Sequence, residues 1–479
     1  MSSSREIPPE LAREMTPAVR AFMDSLFSRI DELVGEVDRL RTELKKSKRF
    51  GHGPGAEEPA KDESTAADDT KKSTVEKPNR KRGGQPGHPK AERALIPSEQ
   101  CSDVVTCKPR VCRGCGGALQ GNDSDPLRHQ VTDIPPITPI VIEYQRHRLT
   151  CSCCGVSTCG ELPEGVPTGM TGPRLTAIVG VLMALFRQSK RRVSLCCQTL
   201  FNTSVSPGLV VKLQNIVTTS ARPAYRELVS KLPSQSAVNV DETPTRESNE
   251  NAWIWTVVAA TFTVFAVRVT KASCVIKSLL GNAYKGVVTS DRAKMYDFFL
   301  QHQWCWAHLE RDFKTVAECG NKTASKLGHK LLDLTHDLFH QWHRVRDGTV
   351  TRATFLKHIR RLYGEVYLVL EEGAFCAHRP TAALCENLLN SYENLFTFAW
   401  RPGVEPTNNA AERALRHPVI WKQLSFGTQS EAGSRFVETL LTVVETCRQQ
   451  KRDTLNFLTD SVHAHFNHKQ GPSLTADGV

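Results

Sequence analysis

The chain has 479 residues, 39% of them hydrophobic and 24% charged, with 16 cysteines and a formal net charge of +11. This length predicts two to four domains, and the longest apolar run, LTAIVGVLMALF at 175–186, is too short to span a bilayer. The N-terminus has no apolar signal-peptide core, so we expect a reducing cytoplasm, where cysteines serve as metal ligands or buried thiols, and a basic surface that contacts a polyanion.

Residues 1–50 are predicted to form a coiled-coil helix. From Val19 to Leu44, apolar residues recur in alternating steps of four and three, and Glu36 and Arg41 fall on the flanking g and e positions. This heptad pattern favours a parallel dimer. The alternative is an amphipathic helix that packs on its own protein.

Residues 51–95 are predicted to be a disordered basic linker. The segment is rich in Gly, Pro, Ser, Thr and charge, and it ends in the basic stretch RKRGGQPGHP. Arg80, Lys81 and Arg82 are candidate contacts to a DNA phosphate backbone. The alternative is that they only keep the linker in solution.

Residues 96–165 are predicted to bind one structural zinc ion. Cys112 and Cys115 form one CxxC followed by glycine, and Cys151 and Cys154 form a second, with a strand-like stretch, ITPIVIEYQRHRLT, between them. Two such knuckles at the ends of a hairpin make a tetrahedral site. Cys153 is a spare thiol that competes as a ligand, and the alternative is a set of unmetallated thiols.

Residues 166–234 are predicted to be helical throughout. A turn at 202–207 separates SLCCQTLF from SPGLVVKLQNIV, and this layout resembles a helix-turn-helix. We therefore predict a helical DNA-binding region, although many small helical bundles share the pattern.

Residues 235–320 are predicted to form the first part of an α/β core. AVNVDET is a strand that ends near Asp241, NAWIWTVVAATFTVFAVRVT is a hairpin, and GVVTSD is a strand that ends at Asp291. Helical RAKMYDFFL and strand-like QHQWCWAHL follow. This order is the one that a ribonuclease-H-like fold requires, in which the first and fourth strands lie side by side and their acids converge.

Glu412, on the helix NNAAERAL, is the candidate third acid. Three carboxylates make a site for two Mg²⁺ (or Mn²⁺) ions that act on a phosphodiester. Each acid also has a structural alternative: Asn409 as an N-cap with Glu412 completing a capping box, Asp291 as a helix cap, and Asp241 as the start of a turn before Pro244. Residues 321–400 are predicted to be a helical insertion, 401–465 the second part of the core, and 466–479 a disordered tail.

Several stretches together resemble the transposases of IS66-type bacterial insertion sequences: VDET at 240–243, SDRAKMYD at 290–297, QWCWAHLERDF at 303–313, and the block that begins PTNNAAERALRHP at 406. The resemblance implies a DDE transposase with Asp241, Asp291 and Glu412 as its triad, a zinc-binding region and a ribonuclease-H-like core. It also implies double-stranded DNA partners (element terminal repeats and target DNA), a homodimer or higher multimer, companion proteins of the same element, and a bacterial, nucleoid-associated location without a membrane.

Further residues are candidates for accessory roles. Arg413, Arg416 and Lys422 follow the third acid and are predicted to contact phosphates. Trp421 either stacks on a base or lies in the core. Cys305 and His308 form a CxxH, for which a structural role is favoured because two further metal ligands cannot be named. Arg292 and Lys294, beside Asp291, depart from the usual pattern of the family.

The multidomain α+β interpretation leaves two functional alternatives. One is a catalytically inactive, zinc-containing DNA-binding regulator, and the other is a nuclease of the same fold that cuts without joining.

Overall fold

The computed structural model describes residues 94–475 together with Thr16. The chain divides into two compact units, Met1–Gln130 and Val131–Val479. The predicted coiled coil and most of the predicted linker, including Arg80, Lys81 and Arg82, lie outside the described residues.

The cysteine-dense region contains little regular structure. In the first unit a 3₁₀ turn, Ser98–Gln100, precedes the first knuckle, and in the second unit β1 (Arg148–Thr150) pairs antiparallel with β2 (Ser157–Cys159) across the second knuckle. The longer strand predicted over ITPIVIEYQRHRLT is wrong apart from its last residues. Ile140 and Val141 are almost fully exposed, so neither face of that stretch has a surface to pack on.

Three helices follow: α1 (Pro173–Ala184), α2 (Lys190–Phe201) and α3 (Pro207–Lys231). Asn202 ends α2 in the left-handed region with φ of 47°, and the Ser206 hydroxyl caps α3 by accepting from Leu209 N–H. The predicted helix-turn-helix layout is therefore present, but α1 and α3 share one hydrophobic core with the following sheet. Between residues 94 and 475, no helix has the length and hydropathy needed to cross a membrane.

The central sheet has five strands in the order β5-β4-β3-β6-β7. They are β3 (Ala237–Glu247), β4 (Glu250–Val258), β5 (Thr263–Arg268), β6 (Val287–Ser290) and β7 (His302–Trp304), and α4 (Ser273–Leu280) connects β5 to β6. β3, β4 and β5 form an antiparallel meander, whereas β6 runs parallel to β3 and β7 parallel to β6. The predicted hairpin and the predicted pairing of the first and fourth strands are confirmed.

Three local predictions in this region are wrong. β3 does not end at its acid but continues to Glu247, because β4 pairs with it from Asn239 to Glu247. Pro244 is tolerated there because β6 no longer lies alongside. RAKMYDFFL forms only a 3₁₀ turn at Lys294–Tyr296, which buries the Tyr296 ring completely. The strand predicted over QHQWCWAHL stops at Trp304, since a helix begins two residues later.

The helices predicted over residues 321–400 are present, and the first helix of this group begins earlier, at Trp306. The group consists of α5 (Trp306–Ala317), α6 (Lys322–Arg346), α7 (Arg352–Ala374), α8 (Arg379–Leu389), a 3₁₀ turn at Tyr392–Leu395 and the short α9 (Thr397–Trp400). These helices bury a second, aromatic-rich core that includes Trp306, Phe355, Phe396 and Phe398. The insertion therefore carries its own hydrophobic core beside the sheet.

Three helices complete the fold: α10 (Asn409–Ser425), α11 (Glu431–Gln449) and α12 (Thr454–Phe466). α11 covers the exposed edge of β5 with side chains spaced four residues apart. Glu438, Thr442 and Thr446 accept from the backbone N–H groups of Val267, Phe265 and Thr263 at 3.2, 2.9 and 3.2 Å. Four helical residues rise about 6 Å and two strand residues about 6.6 Å, so the two spacings match.

The predicted disordered tail is wrong for residues 467–475. Leu474 is fully buried in the main core, Gln450 Nε2 donates to its carbonyl at 2.8 Å, and an Arg452 nitrogen donates to the Ser473 carbonyl at 2.8 Å. The buried Leu474 side chain and these hydrogen bonds together hold the segment against the protein.

Candidate active site

Two acids belong to neighbouring parallel strands: Asp241 lies within β3, and Asp291 directly follows β6. Asn239 of β3 is in register with Thr289 of β6, and Asp241 and Asp291 each follow two residues later, on the same face of the sheet. Asp291 Oδ1 accepts from Ala293 N–H at 3.0 Å, which closes a turn. The alternative predicted for Asp291 was a helix cap. No α-helix begins there, so the Asp291 side chain instead stabilises a loop.

The third acid, Glu412, lies in the first turn of α10. The N-cap residue is Asn408, not Asn409, so the capping box predicted as an alternative is wrong. Asn408 Nδ2 donates to the Val240 carbonyl at 2.8 Å, and Asn408 Oδ1 accepts from Asn239 Nδ2 at 3.2 Å. These bonds attach the start of α10 to β3 directly beside Asp241.

The pKa of Asp241 responds to the charges of the neighbouring acids. Burial, and after it the negative charges of Glu242, Asp291 and Glu412, together raise the pKa of Asp241 to about 7. Glu412 Oε1 is buried and, among the described residues, has no hydrogen-bond partner. A buried carboxylate whose pKa is raised by neighbouring acids, beside a carboxylate oxygen without a donor, is suited to a bound cation.

Glu242 is a fourth acid that the sequence analysis did not single out. It is paired with Lys271 Nζ at 2.8 Å and accepts a hydrogen bond from the Tyr296 hydroxyl. Burial and the neighbouring acids raise the pKa of Tyr296, so the phenol stays protonated and donates. Glu242 is thus engaged by protein donors, which distinguishes it from Glu412.

The CxxH lies next to the third acid. Cys305 follows β7, and its Sγ accepts from Asn408 N–H at 3.1 Å; His308 Nδ1 lies 3.6 Å from Glu412 Oε1. Burial lowers the pKa of His308, as does the neighbouring Arg311 cation, so the imidazole is neutral near pH 7. Sequence spacing did not reveal this neighbour, because Glu412 is far away along the chain.

Ser290 and His302 form a hydrogen-bonded pair, with Oγ and Nε2 2.8 Å apart. Both side chains are buried, and burial lowers the pKa of His302 to about 4. A neutral, enclosed pair of this kind stabilises β6 against β7 and is inaccessible to a DNA strand.

The basic residues of α10 differ in their surroundings. Arg413 and Arg416 are exposed, whereas Lys422 Nζ donates to Thr243 Oγ1 at 2.6 Å and to the Pro244 carbonyl at 2.7 Å. Trp421 packs against the main hydrophobic core, as the structural alternative predicted. Arg413 and Arg416 are therefore free to face an anion, and Lys422 fixes α10 to β3.

The two cysteine knuckles, each described within its own unit, have the same backbone geometry. In the first knuckle, Cys112 N–H donates to the Gly117 carbonyl and Gly116 N–H donates to the Cys112 carbonyl. In the second, Cys151 N–H donates to the Val156 carbonyl and Gly155 N–H donates to the Cys151 carbonyl. Gly116 and Gly155 both have φ of 72°. Backbone N–H groups pointing at the sulfurs lower the pKa of Cys112 and of Cys151. Thiols held in this way are favourable zinc ligands.

Comparison with known proteins assigns the class. A family model described as "Transposase IS66 family" matches residues 168–435, and one described as "zinc-finger binding domain of transposase IS66" matches residues 109–155. The class defined by this match is that of transposases, DNA-processing proteins that bind DNA. Because the first match covers more than half of the chain, the protein belongs to the IS66 transposase family.

Two relatives come from Sinorhizobium fredii (strain NBRC 101917 / NGR234). The uncharacterized protein y4hP is 22% identical over 401 residues, which cover 74% of this chain and 71% of the relative. The uncharacterized protein y4qI is 24% identical over 207 residues, which cover 40% of this chain and 38% of the relative.

Proposed function

We propose that the chain is a DDE transposase that cleaves the ends of its element and joins the freed 3′-hydroxyls to target DNA. Asp241, Asp291 and Glu412 are its catalytic acids and hold two Mg²⁺ or Mn²⁺ ions. The observation that best supports this proposal is the parallel register of β3 and β6, in which Asn239 and Thr289, each two residues before an acid, are partners, with Asn408 fixing the acid-bearing helix to β3. The strand order supports a ribonuclease-H-like core.

The donor set fits these ions. Mg²⁺ and Mn²⁺ prefer carboxylate oxygens, and Glu412 Oε1 is buried without a donor. The raised pKa of Asp241 means that the cluster is destabilised when all its acids are charged. A divalent cation relieves that repulsion, so the metal-free geometry favours binding.

Each residue has a distinct task in the reaction. When bound, two such ions lower the pKa of the attacking water or 3′-hydroxyl and stabilise the departing oxygen of an in-line displacement. Asp241 on β3 and Asp291 directly after β6 would hold the ions through their carboxylate oxygens, which fixes where a phosphodiester can bind. Glu412 completes the set from α10, while Arg413 and Arg416 on the same helix are available to bind flanking phosphates.

The zinc-finger match supports a structural zinc ion, and we propose Cys112, Cys115, Cys151 and Cys154 as its ligands. Element terminal repeats, target DNA, a homodimer or higher multimer and companion proteins remain part of the same proposal. The family assignment supports DNA binding, on which these finer predictions depend.

The test is a cleavage assay on duplexes that carry the terminal repeats flanking the coding region. With Mg²⁺ or Mn²⁺, the full chain is expected to nick at the element end and to yield joined products. Asp241→Asn, Asp291→Asn and Glu412→Gln should each lower nicking by at least about 10³-fold, since a lost metal ligand removes several kcal/mol of charge stabilisation. Glu310→Gln, on the neighbouring helix α5, is the matched control and should keep activity.

The outcomes separate the alternatives. Metal-dependent nicks without joined products would identify a nuclease. Specific end binding without any nicks would identify an inactive regulator, and either result would overturn the proposal.

A further inference from the structure

Three side chains of different chemistry converge where helices α5 and α10 begin. Cys305, His308 and Glu412 each offer one ligand atom, and these atoms all lie within 4.8 Å of one another. His308 Nδ1 and Glu412 Oε1 are both buried and, within the described part of the chain, have no hydrogen-bond partner. Two orphaned polar atoms beside a thiol are costly unless a further group binds them.

The backbone holds this cluster rigidly. Cys305 and His308 lie three residues apart around the first turn of α5, and therefore share a face. Trp306 N–H donates to the Pro406 carbonyl at 2.9 Å, and Asn408 N–H donates to Cys305 Sγ at 3.1 Å. One main-chain hydrogen bond and one N–H to sulfur bond thus join the two helix starts. Burial raises the pKa of the Cys305 thiol, and the Asn408 N–H partly offsets this rise.

We propose that Cys305, His308 and Glu412 bind a borderline divalent cation of the zinc class, separate from the cysteine knuckles. Sulfur, imidazole nitrogen and carboxylate oxygen are the three protein ligand types of zinc, whereas magnesium does not take thiolate ligands. With three protein ligands, the fourth position stays open to water or to a phosphate oxygen. Binding exchanges the thiol proton for the metal, and solvent takes up the proton.

The geometry requires only a small adjustment. Ligand bonds of about 2.0–2.3 Å place tetrahedral ligand atoms about 3.3–3.8 Å apart, so some separations must shorten by about 1 Å. The Glu412 side chain is about one third exposed and is free to change its rotamer. Arg311 lies 3.9 Å from Glu412 Oε1 and competes with a cation, but its side chain is 47% exposed and is able to turn away.

The site has a consequence that rests on the proposed function. Glu412 is also the third acid of the proposed magnesium site, and a zinc ion at Cys305 and His308 draws it away from Asp241 and Asp291. Zinc occupancy should therefore inhibit magnesium-dependent nicking.

Zinc content tests the site without any activity measurement. The full chain is stripped with a chelator, reloaded with Zn²⁺, desalted and analysed for metal per chain. Cys305→Ser and His308→Asn should each hold one zinc ion fewer than the wild type. Cys385→Ser, which alters another buried thiol in the helical insertion, should hold the wild-type number.

Cobalt gives a second reading of the same site. Loaded with Co²⁺, the wild type should show a larger thiolate charge-transfer absorbance than Cys305→Ser. The difference should equal the contribution of one sulfur ligand. If Cys305→Ser loses its native circular dichroism, the zinc content of His308→Asn, a substitution at a partly exposed position, decides whether the site exists. Equal zinc content in the wild type and a folded Cys305→Ser or His308→Asn variant would overturn the proposal.

The nicking assay tests the consequence separately. At a fixed Mg²⁺ concentration, zinc that fills the site should lower wild-type nicking at least about tenfold, because one carboxylate cannot serve both ions fully. Cys305→Ser should lose this response relative to its own zinc-free rate. If no nicking is seen at all, the proposed function fails, while the zinc count still decides the site.

Discussion

At the residue scale, the pKa of Asp241 on the central strand β3 reports the negative charges around it. Burial and three neighbouring carboxyl groups raise its pKa to about 7. Between the ordinary pKa of an aspartate, about 4, and this value, the folded chain binds a proton that the unfolded chain releases. The free energy of unfolding of the metal-free protein should therefore fall as pH rises from about 4 to about 7, and level off above.

Asp241→Asn should remove most of this pH dependence. We expect the metal-free variant to be more stable than the wild type at pH 8, by on the order of 2 kcal/mol after solvent screening of a partly exposed carboxyl, and to gain little at pH 4. Urea unfolding of the full chain at the two pH values measures the difference. Asp460→Asn, at an exposed position on α12, is the control; an equal effect of both substitutions would contradict the account.

Much of the candidate site could be predicted from the identities of residues in the sequence. An acid after each of two β-rich runs predicted that Asp241 and Asp291 lie close together, and the predicted parallel pairing of β3 and β6 is present. The supporting residues Asn239, Asn408 and Glu242 gave no such signal. Their partners lie in distant parts of the chain, so only the folded chain brings them together.

At the element scale, α11 seals the edge of β5. The hydroxyl of Thr442 accepts from the buried Phe265 N–H at 2.9 Å, a bond that replaces the missing neighbouring strand. Neither helix periodicity nor strand alternation predicts it, because Thr is ordinary in both contexts. The sequence therefore predicted the helix and the strand but not the contact between them.

Thr442→Val should leave the Phe265 N–H buried and unpaired. We expect a loss of about 1–3 kcal/mol in the free energy of unfolding, measured by denaturant titration. Thr335→Val is the matched control, since Thr335 is equally buried but its hydroxyl donates only to the Leu331 carbonyl of its own helix. If both substitutions cost the same, the hydrogen bond to the strand edge contributes nothing.

Two glycines of the helical insertion should respond in opposite directions to alanine. A Cβ added at Gly328 of α6 would lie 2.3 Å from the Ala317 backbone nitrogen, whereas one at Gly364 of α7 would meet nothing within 4 Å. Gly328→Ala should destabilise the protein by about 1–3 kcal/mol through overpacking, and Gly364→Ala should stabilise it by up to about 1 kcal/mol through helix propensity.

Thermal unfolding of the two variants gives both signs in one experiment. A stabilising Gly328→Ala would show that α5 and α6 do not approach as closely as described here.

At the scale of the whole molecule, a buried core unites segments that the sequence had divided. The boundary predicted at 234 between a DNA-binding region and the catalytic core does not exist as a break in packing, because α1 and α3 bury their apolar faces in the same core as the sheet. Composition and periodicity report local structure, whereas the sharing of a core depends on which faces meet. The helices over residues 321–400 could be predicted because their apolar period is long and uninterrupted.

The central claim is that Asp241, Asp291 and Glu412 act as one metal site. Crystals of the full chain bound to element-end DNA and soaked in Mn²⁺ would locate the ions by anomalous scattering. We expect two Mn²⁺ peaks about 3.5–4 Å apart, each ligated by oxygens of these carboxylates. Mn²⁺ bound elsewhere, or DNA bound with the three carboxylates separated and without metal, would contradict it.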